Sequence, residues 1–61
     1  MKNYYCESNN GWFVVKTNNK RTARSVAVQE FGRGRVSEVR EATKDETQYF
    51  VSAKGERALI S

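Results

Sequence analysis

The residues of this 61-residue chain whose types and spacing most clearly suggest a binding function are the cations between positions 16 and 35. This window holds six Lys and Arg side chains against one acid, Glu30, whereas the rest of the chain holds five basic and six acidic side chains. Lys and Arg side chains supply essentially all of the non-specific affinity of proteins for nucleic-acid phosphates. The window therefore predicts an anion-binding surface. Its cations are Lys16, Lys20, Arg21, Arg24, Arg33 and Arg35.

The predicted position of these cations bears on what they do. Lys20 and Arg21 fall in the first turn of a predicted helix, where each cation opposes the helix dipole at a cost of about 0.3–1 kcal/mol. Lys20 and Arg24 also form an unfavourable like-charge pair one turn apart. One interpretation is an anionic partner, since phosphates at a helix N-terminus gain free N–H groups as well as cations. The other is a solvated face whose Lys and Arg stems cover apolar edges. The sequence leaves both open.

Two further groups of residues allow either a binding or a structural interpretation. The turn 32–35 places Arg33 and Arg35 where they could straddle a phosphate backbone. Its glycines equally suit a helix stop and the entry to a strand. The second group is aromatic and would form either a base-stacking platform on an exposed sheet face or most of a small core. It comprises Tyr4, Tyr5, Trp12 and Phe13.

The composition argues against catalytic and metal sites. With no His and one Cys, the chain lacks Ser–His and Cys–His nucleophile pairs and the usual ligands of structural zinc. Its carboxylates match neither a paired acid–base site nor a calcium loop, and Cys6 suits a small buried strand position. We therefore expect a protein that is not an enzyme and holds no cofactor or metal. The carboxylates considered are Glu38, Glu41, Asp45 and Glu46.

The same reasoning predicts a cytoplasmic protein without membrane contact. No stretch approaches the ~20 apolar residues of a membrane span, and residues 1–7 lack the apolar run of a signal peptide. A single Cys also excludes the internal disulfide framework of small secreted proteins. The length predicts one small domain, residues 1–61, in which 56–61 form a frayed tail.

The first half of the chain predicts a hairpin followed by a helix. Asn10-Gly11 lies between two apolar or aromatic runs, which is typical of a β-hairpin, here over residues 2–16. The second of these runs, residues 12–15, is apolar on both faces of its strand. A helix is predicted over 19–31, because residues 17–19 offer N-cap side chains and apolar residues recur at 23, 26, 27 and 31. Gly32 would end this helix in left-handed geometry.

The second half predicts a strand and then an element of two possible types. Residues 36–42 indicate a charged edge strand with Val39 pointing inward. Thr43 and Glu46 match the capping box of a helix over 43–54, with Tyr49, Phe50 and Ala53 on its apolar side and Gly55 at its end. The alternation at positions 47, 49, 51 and 53 also permits a strand that pairs with 36–42.

These elements predict an α+β fold of order β-β-α-β-α, with β-β-α-β-β as the alternative. The helices are expected to pack on one face of a small sheet.

Part of the chain resembles small uncharacterised proteins of bacterial phages and other mobile elements. The matching residues are Phe31-Gly32, Glu38-Val39-Arg40-Glu41-Ala42-Thr43, Glu46 and Tyr49-Phe50. In such proteins a hairpin and helix precede a strand ending in a similar Arg-Glu-Ala-Thr run and an acidic, aromatic helix. The resemblance favours the second helix and implies no activity. A fainter similarity is to the DNA-binding domain of phage-type integrases, which places three strands, rather than two, before its helix.

The function predicted from the sequence is that of a small intracellular binding module that contacts nucleic-acid backbone through a basic helix and its flanking turns. The alternative is a protein–protein interaction module with no nucleic-acid role. It would bind an acidic protein surface, or form a homodimer by pairing an exposed strand edge.

Overall fold

The computed structural model of the chain describes residues 1–54 and forms a three-stranded sheet with two helices. The elements are β1 (Lys2–Ser8), β2 (Gly11–Thr17), α1 (Lys20–Phe31), β3 (Val36–Glu41) and α2 (Lys44–Lys54). The α+β class and the order β-β-α-β-α are confirmed, and the alternative with a fourth strand is wrong. The predicted end of α2 at Gly55 and the predicted frayed tail lie outside the described residues.

The strand β1 forms the centre of the sheet. Both neighbours pair with it antiparallel, in the order β2-β1-β3, so that Tyr4 lies opposite Val15 on one side and Glu41 on the other. A register irregularity between Glu7 and Ser8 lets Ser8 pair with Val36. The predicted edge position of β3 is confirmed, and Val39 is its buried residue.

The hairpin turn is closed by Ser8. Its loop is Asn9–Asn10, and Gly11 already pairs with Ser8 as the first residue of β2. The Ser8 hydroxyl accepts a hydrogen bond from the Asn10 N–H at 3.1 Å. Gly11 has a φ of +149°, and no non-glycine residue of 1–54 has a positive φ. The Asn10-Gly11 pair therefore predicts the hairpin correctly, although the tight turn is centred one residue earlier.

Both ends of α1 are set by local chemistry. At the start, the Asn19 side-chain oxygen accepts from the Thr22 N–H at 2.9 Å, which satisfies one of the free donors of the first turn. At the end, the Gly32 N–H donates to the Val28 carbonyl at 2.8 Å. Gly32 has φ 103° and ψ 152°, so the helix stops there as predicted. Its ψ lies outside the left-handed helical region that was expected.

The helix α1 packs on one face of the sheet through two small residues. Ala23 and Ala27 have no exposed surface, and they lie on one side of the helix because they are four residues apart. They belong to a cluster with Tyr4, Cys6 and Val15 of the hairpin. Alanine side chains let the helix backbone approach the sheet closely, so this core needs few large aliphatic residues.

The helix α2 packs on the opposite face, which corrects the expectation that both helices share one face. Successive strand residues point to opposite faces, so Trp12 and Val14 point away from the α1 side. The Trp12 ring lies 5.8 Å from the ring of Phe50 in α2. Val14 and Val15 are both fully buried, because β2 is apolar on both faces and each face is covered by a helix. Of the three residues expected on the apolar side of α2, only Phe50 is buried: Ala53 is exposed, and Tyr49 is 67% exposed although its ring lies 5.9 Å from that of Trp12.

One arginine fastens α2 to the sheet. Arg40 of β3 donates through both terminal nitrogens to the Glu46 carboxylate, at 2.9 and 2.6 Å. Its Nε donates to Glu38 at 2.9 Å, and its guanidinium lies 4.3 Å from the ring centre of Tyr5. Bidentate Arg–carboxylate pairs are among the strongest hydrogen-bonded ion pairs because both groups are planar forks.

The same carboxylate completes the predicted capping box. Glu46 accepts from the Thr43 N–H at 2.8 Å, and the Thr43 hydroxyl accepts from the Glu46 N–H at 3.1 Å. The hydrogen bonds from Arg40, followed by the one from the Thr43 backbone, lower the pKa of Glu46 to about 2 from its ordinary 4.5. One side chain therefore caps α2 and anchors it.

We expect Glu46→Gln to destabilise the fold and to change its response to acid. Gln can still accept from the Thr43 N–H, as a capping box allows, so the loss at neutral pH is that of the ion pair with Arg40, about 0.2–1 kcal/mol for a partly exposed pair. The Glu46 pKa is lowered on folding, so its contribution is present above about pH 4.5 and disappears as the pH falls towards 2. Urea unfolding of both proteins should give curves that differ at pH 7 and converge near pH 2. The control is Asp45→Asn, which changes a neighbouring carboxylate without these hydrogen bonds; an equal loss there would contradict the assignment.

Candidate functional site

Three of the predicted cations lie together at the start of α1. Lys20, Arg21 and Arg24 are exposed on the first two turns of the helix. Residues three and four apart are neighbours on a helix surface, so Arg24 adjoins both of the others. We call these three residues the α1 basic cluster.

The other three predicted cations lie elsewhere. Arg33 and Arg35 are exposed in the turn that follows α1. The 12-residue helix, about 18 Å long, separates this turn from the basic cluster. Lys16 is two residues after Val14 in β2, so both side chains lie on the same face of the sheet, which is the face that α2 covers. The structure thus brings together three of the six residues, places two at the far end of the same helix, and directs Lys16 to the other face.

None of the six predicted cations forms an ion pair within residues 1–54. The ion pairs in that part of the chain are Lys2–Glu41 at 3.7 Å, Arg40–Glu38 at 2.9 Å and Arg40–Glu46 at 2.6 Å. Lys2 and Arg40, which were not predicted as binding residues, therefore take up three of the carboxylates. The positive charge of the α1 basic cluster is left without neutralisation inside this part of the molecule.

The two helices are charged in opposite ways relative to their dipoles. α2 has Asp45 and Glu46 in its first turn and Lys54 in its last, as the dipole favours. α1 has no acid in its first turn, where Lys20 and Arg21 lie, and no base in its last. The chain thus has one helix whose terminal charges stabilise it and one whose terminal charges do not.

Polar residues that the sequence did not single out form the outermost face of α1. Thr22, Ser25 and Gln29 are exposed, and their spacing places them on one side of the helix, opposite Ala23 and Ala27. The Thr22 hydroxyl donates to the Asn19 side chain at 3.1 Å. Exposed Ser and Gln are common on any helix, so these residue types alone gave no signal. The predicted apolar positions 23, 26, 27 and 31 could have indicated which residues lie on the opposite, exposed side.

The predicted aromatic platform is used mainly for packing. Tyr4 is buried, and Phe13 packs against Phe31 with ring centres 5.1 Å apart. Tyr5 stacks on Trp12 at 5.4 Å beneath α2. Because α2 occupies this face of the sheet, Tyr5 and Trp12 do not form an open stacking surface.

The free cysteine and an apolar cleft are weaker candidates for a functional site. Burial raises the pKa of the Cys6 thiol to about 11, and its Sγ lies 3.8 Å from the Ala23 carbonyl oxygen, so this cysteine is a protonated core residue. An apolar cleft of about 270 Å³ lies beside β2, between the two helices. Its lining residues are Trp12, Phe13, Val14, Val15, Val26, Glu30, Phe50 and Lys54.

Residues 1–54 contain no group of three or more His, Cys, Asp or Glu side chains that could together hold a metal ion. No helix in that range is long and apolar enough to cross a membrane.

No family model matches the chain, and no curated protein or solved structure is significantly similar to it. The resemblance to phage and mobile-element proteins therefore stays a prediction, and the functional argument depends on the geometry of this chain alone.

We expect Arg21→Glu to stabilise the free protein. The substitution removes one unfavourable charge from the first turn of α1 and adds a favourable one, each worth about 0.3–1 kcal/mol. Thermal unfolding at low salt should show a higher midpoint than the unsubstituted chain, and the gain should shrink at 1 M salt because exposed charges are screened. The mirror substitution Asp45→Arg in α2 should lower the midpoint. A lower midpoint for Arg21→Glu would mean that Arg21 has a stabilising contact instead.

Proposed function

We propose that this protein is a small binding module that contacts the phosphate backbone of a nucleic acid through α1 and the turn 32–35. The observation that carries the proposal is the α1 basic cluster, which is exposed, has no ion pair within residues 1–54 and opposes the helix dipole. Phosphates beside the first turn of α1 would convert each of these unfavourable charges into a favourable contact.

The distribution of acids supports α1 as the side that meets the ligand. Glu7 and Glu38 pair across β1 and β3 on the face that carries Trp12, and Asp45 and Glu46 belong to α2. On the α1 side, Glu41 is paired with Lys2, and the exposed Glu30 lies in the last turn of α1, at the opposite end of the helix from the basic cluster. Exposed charges are screened within about 8 Å at physiological ionic strength, so acids beyond the sheet do little to cancel the field of the cluster. An anion therefore approaches α1 in preference to α2.

The length of the basic surface fits several phosphates at once. Cations lie at both ends of α1, about 18 Å apart, and duplex DNA carries one charge per about 1.7 Å of its axis. Five side chains are available on this side: Lys20, Arg21, Arg24, Arg33 and Arg35. We expect log K to fall with log salt at a slope of about −3 to −4.5, since each contacted phosphate contributes about −0.9.

Dimer formation through a strand edge has less support from the geometry. At the β2 edge, side chains of both helices line the cleft, including Val26 of α1 and Phe50 of α2. At the β3 edge, Glu38, Arg40 and Glu41 are charged, and charged side chains discourage edge-to-edge pairing. An acidic protein partner on α1 would use the same cations as a nucleic acid, and it becomes the preferred explanation if no nucleic acid binds.

We expect the double reversal Arg21→Glu with Arg24→Glu to weaken nucleic-acid binding at least about tenfold at 50 mM salt and to reduce the salt slope by about 1.8, equivalent to two phosphates. The measurement is fluorescence anisotropy of labelled single- and double-stranded DNA and RNA, titrated over a salt series. Neither arginine has an ion pair within residues 1–54, so the fold should persist, which circular dichroism will check.

The matched control is Lys44→Glu with Lys54→Glu on α2, which changes the net charge by the same amount on the other side of the sheet. We expect its affinity to stay within about threefold of the unsubstituted chain, because net charge alone acts weakly at a distance in salt. If both double variants lost the same affinity, the effect would come from net charge alone and not from the position of the two arginines. Absence of binding by the unsubstituted chain to any of the four nucleic acids would overturn the proposal.

A further inference from the structure

The outermost face of α1 has the chemistry for reading bases as well as holding phosphates. Ser25 and Gln29 are exposed, one turn apart, and make no side-chain hydrogen bond within residues 1–54. They lie on the side of the helix opposite the fully buried Ala23 and Ala27. Gln pairs well with adenine edges, and Ser accepts or donates to any base. These two residues are thus polar groups with unused hydrogen-bonding capacity, pointing away from the protein.

The charged residues flank this polar face. Arg21 precedes Ser25 by one turn and Gln29 by two, and Arg24 lies to one side of them around the helix. Lys20 lies at the start of the helix on the side nearer the sheet, in line with Ala23 and Ala27. Arg33 and Arg35 follow at the far end. A helix that enters a groove needs this order, with short polar side chains at the centre and long cations at the rim, where the phosphates are.

The position of α1 leaves it free to enter a groove. It forms an outer layer, with the sheet on one side and none of residues 1–54 covering the other, since α2 packs on the opposite face of the sheet. A helix with side chains is about 10–12 Å across, and the major groove of B-form DNA is about 12 Å wide. The major groove of A-form RNA is too deep and narrow for side chains to read.

We propose that α1 inserts into the major groove of duplex DNA, with Ser25 and Gln29 against base edges and the flanking cations on the phosphates. The proposal rests on the proposed function and narrows its ligand from nucleic acid in general to B-form duplex. It also adds two residues, Ser25 and Gln29, that determine sequence preference without supplying charge.

The first test fills the major groove without changing the charge. The probes are a labelled DNA duplex, the same duplex with every cytosine replaced by glucosylated hydroxymethylcytosine, the matching RNA duplex, and one DNA strand alone. We expect the plain duplex to bind at least about tenfold more tightly than the glucosylated duplex or the RNA at equal salt. Glucose fills the major groove of the first, and the major groove of A-form RNA is too narrow for a helix. Occupying the minor groove with netropsin should change the affinity less than about threefold.

The outcomes separate the two proposals. Equal binding to all probes would leave backbone contact standing and overturn groove insertion. A preference for RNA or for the single strand would overturn it as well. No binding to any probe would overturn groove insertion together with the proposed function.

The second test uses a variant matched in residue types and spacing. Ser25→Ala with Gln29→Ala removes the polar pair from α1, and Ser52→Ala with Gln48→Ala removes an exposed Ser and Gln one turn apart on α2. All four positions are exposed and alanine favours helix, so both variants should fold. Each protein is used to select from a random DNA duplex library, and the bound fraction is sequenced.

We expect the unsubstituted chain and the α2 control to enrich the same short sequence. The α1 variant should lose at least about fivefold of that preference, the lower range for one good base contact, while its salt slope stays the same. An unchanged preference in the α1 variant, or no enrichment by the unsubstituted chain, would overturn the role of Ser25 and Gln29 in reading bases.

Discussion

The bidentate pair between Arg40 and Glu46 is the interaction on which the arrangement of this protein depends. It joins the edge strand β3 to the first turn of α2, and the same carboxylate caps that helix. On its other side the guanidinium lies over Tyr5, which stacks on Trp12, which contacts Phe50. A chain of contacts therefore crosses the sheet from edge to edge and closes on α2. Without the pair, α2 would be held mainly by its aromatic contacts at the β2 side.

The closure of this face has consequences for the rest of the surface. Once α2 covers Tyr5 and Trp12, the sheet has no open aromatic face for base stacking. The carboxylates of Glu38 and Glu46 are taken up by Arg40, so they are not available to neutralise other cations. Cations without an ion pair within residues 1–54 lie on both sides of the sheet, but α2 has Asp45 and Glu46 in its first turn, whereas α1 has no acid there. A structural contact on one side of the sheet thus removes the aromatic residues of that face from the surface.

The sequence predicts best the features that depend on neighbouring residues. The Asn19 cap, the stop at Gly32 and the Thr43–Glu46 capping box each involve residues within four positions of one another, so their chemistry can be recognised in the chain. The layer assignment was missed because it depends on which elements meet in space. The signal was present in Val14 and Val15, since a strand that is apolar on both faces needs a cover on each. The partnership of Arg40 with Glu46 had no comparable signal, because it joins two elements.

The candidate site shows the same division. Grouping cations by position in the chain put Lys20, Arg21 and Arg24 in one group, and one helix does hold them close together; their role in binding stays a prediction. The same grouping failed for Lys16, because strand residues alternate between faces and a single position decides which helix shares its side. Ser25 and Gln29, by contrast, were not singled out from the sequence. Their residue types are ordinary, and attention falls on them only once the burial of Ala23 and Ala27 confirms which side of α1 faces the sheet.

The charges on α1 also connect binding with stability. The helix tolerates cations in its first turn because Asn19 caps it and because Ala23 and Ala27 are buried against the sheet. Tertiary packing, rather than terminal charge, therefore holds α1 in place. A phosphate bound at this end would remove the repulsion that the free protein carries. A ligand that binds only the folded state also raises its stability in proportion to the logarithm of its concentration above Kd. An α1 with acids in its first turn would be more stable when free and would repel an anion, so the present charges lower the stability of the free helix and make it more responsive to a bound anion.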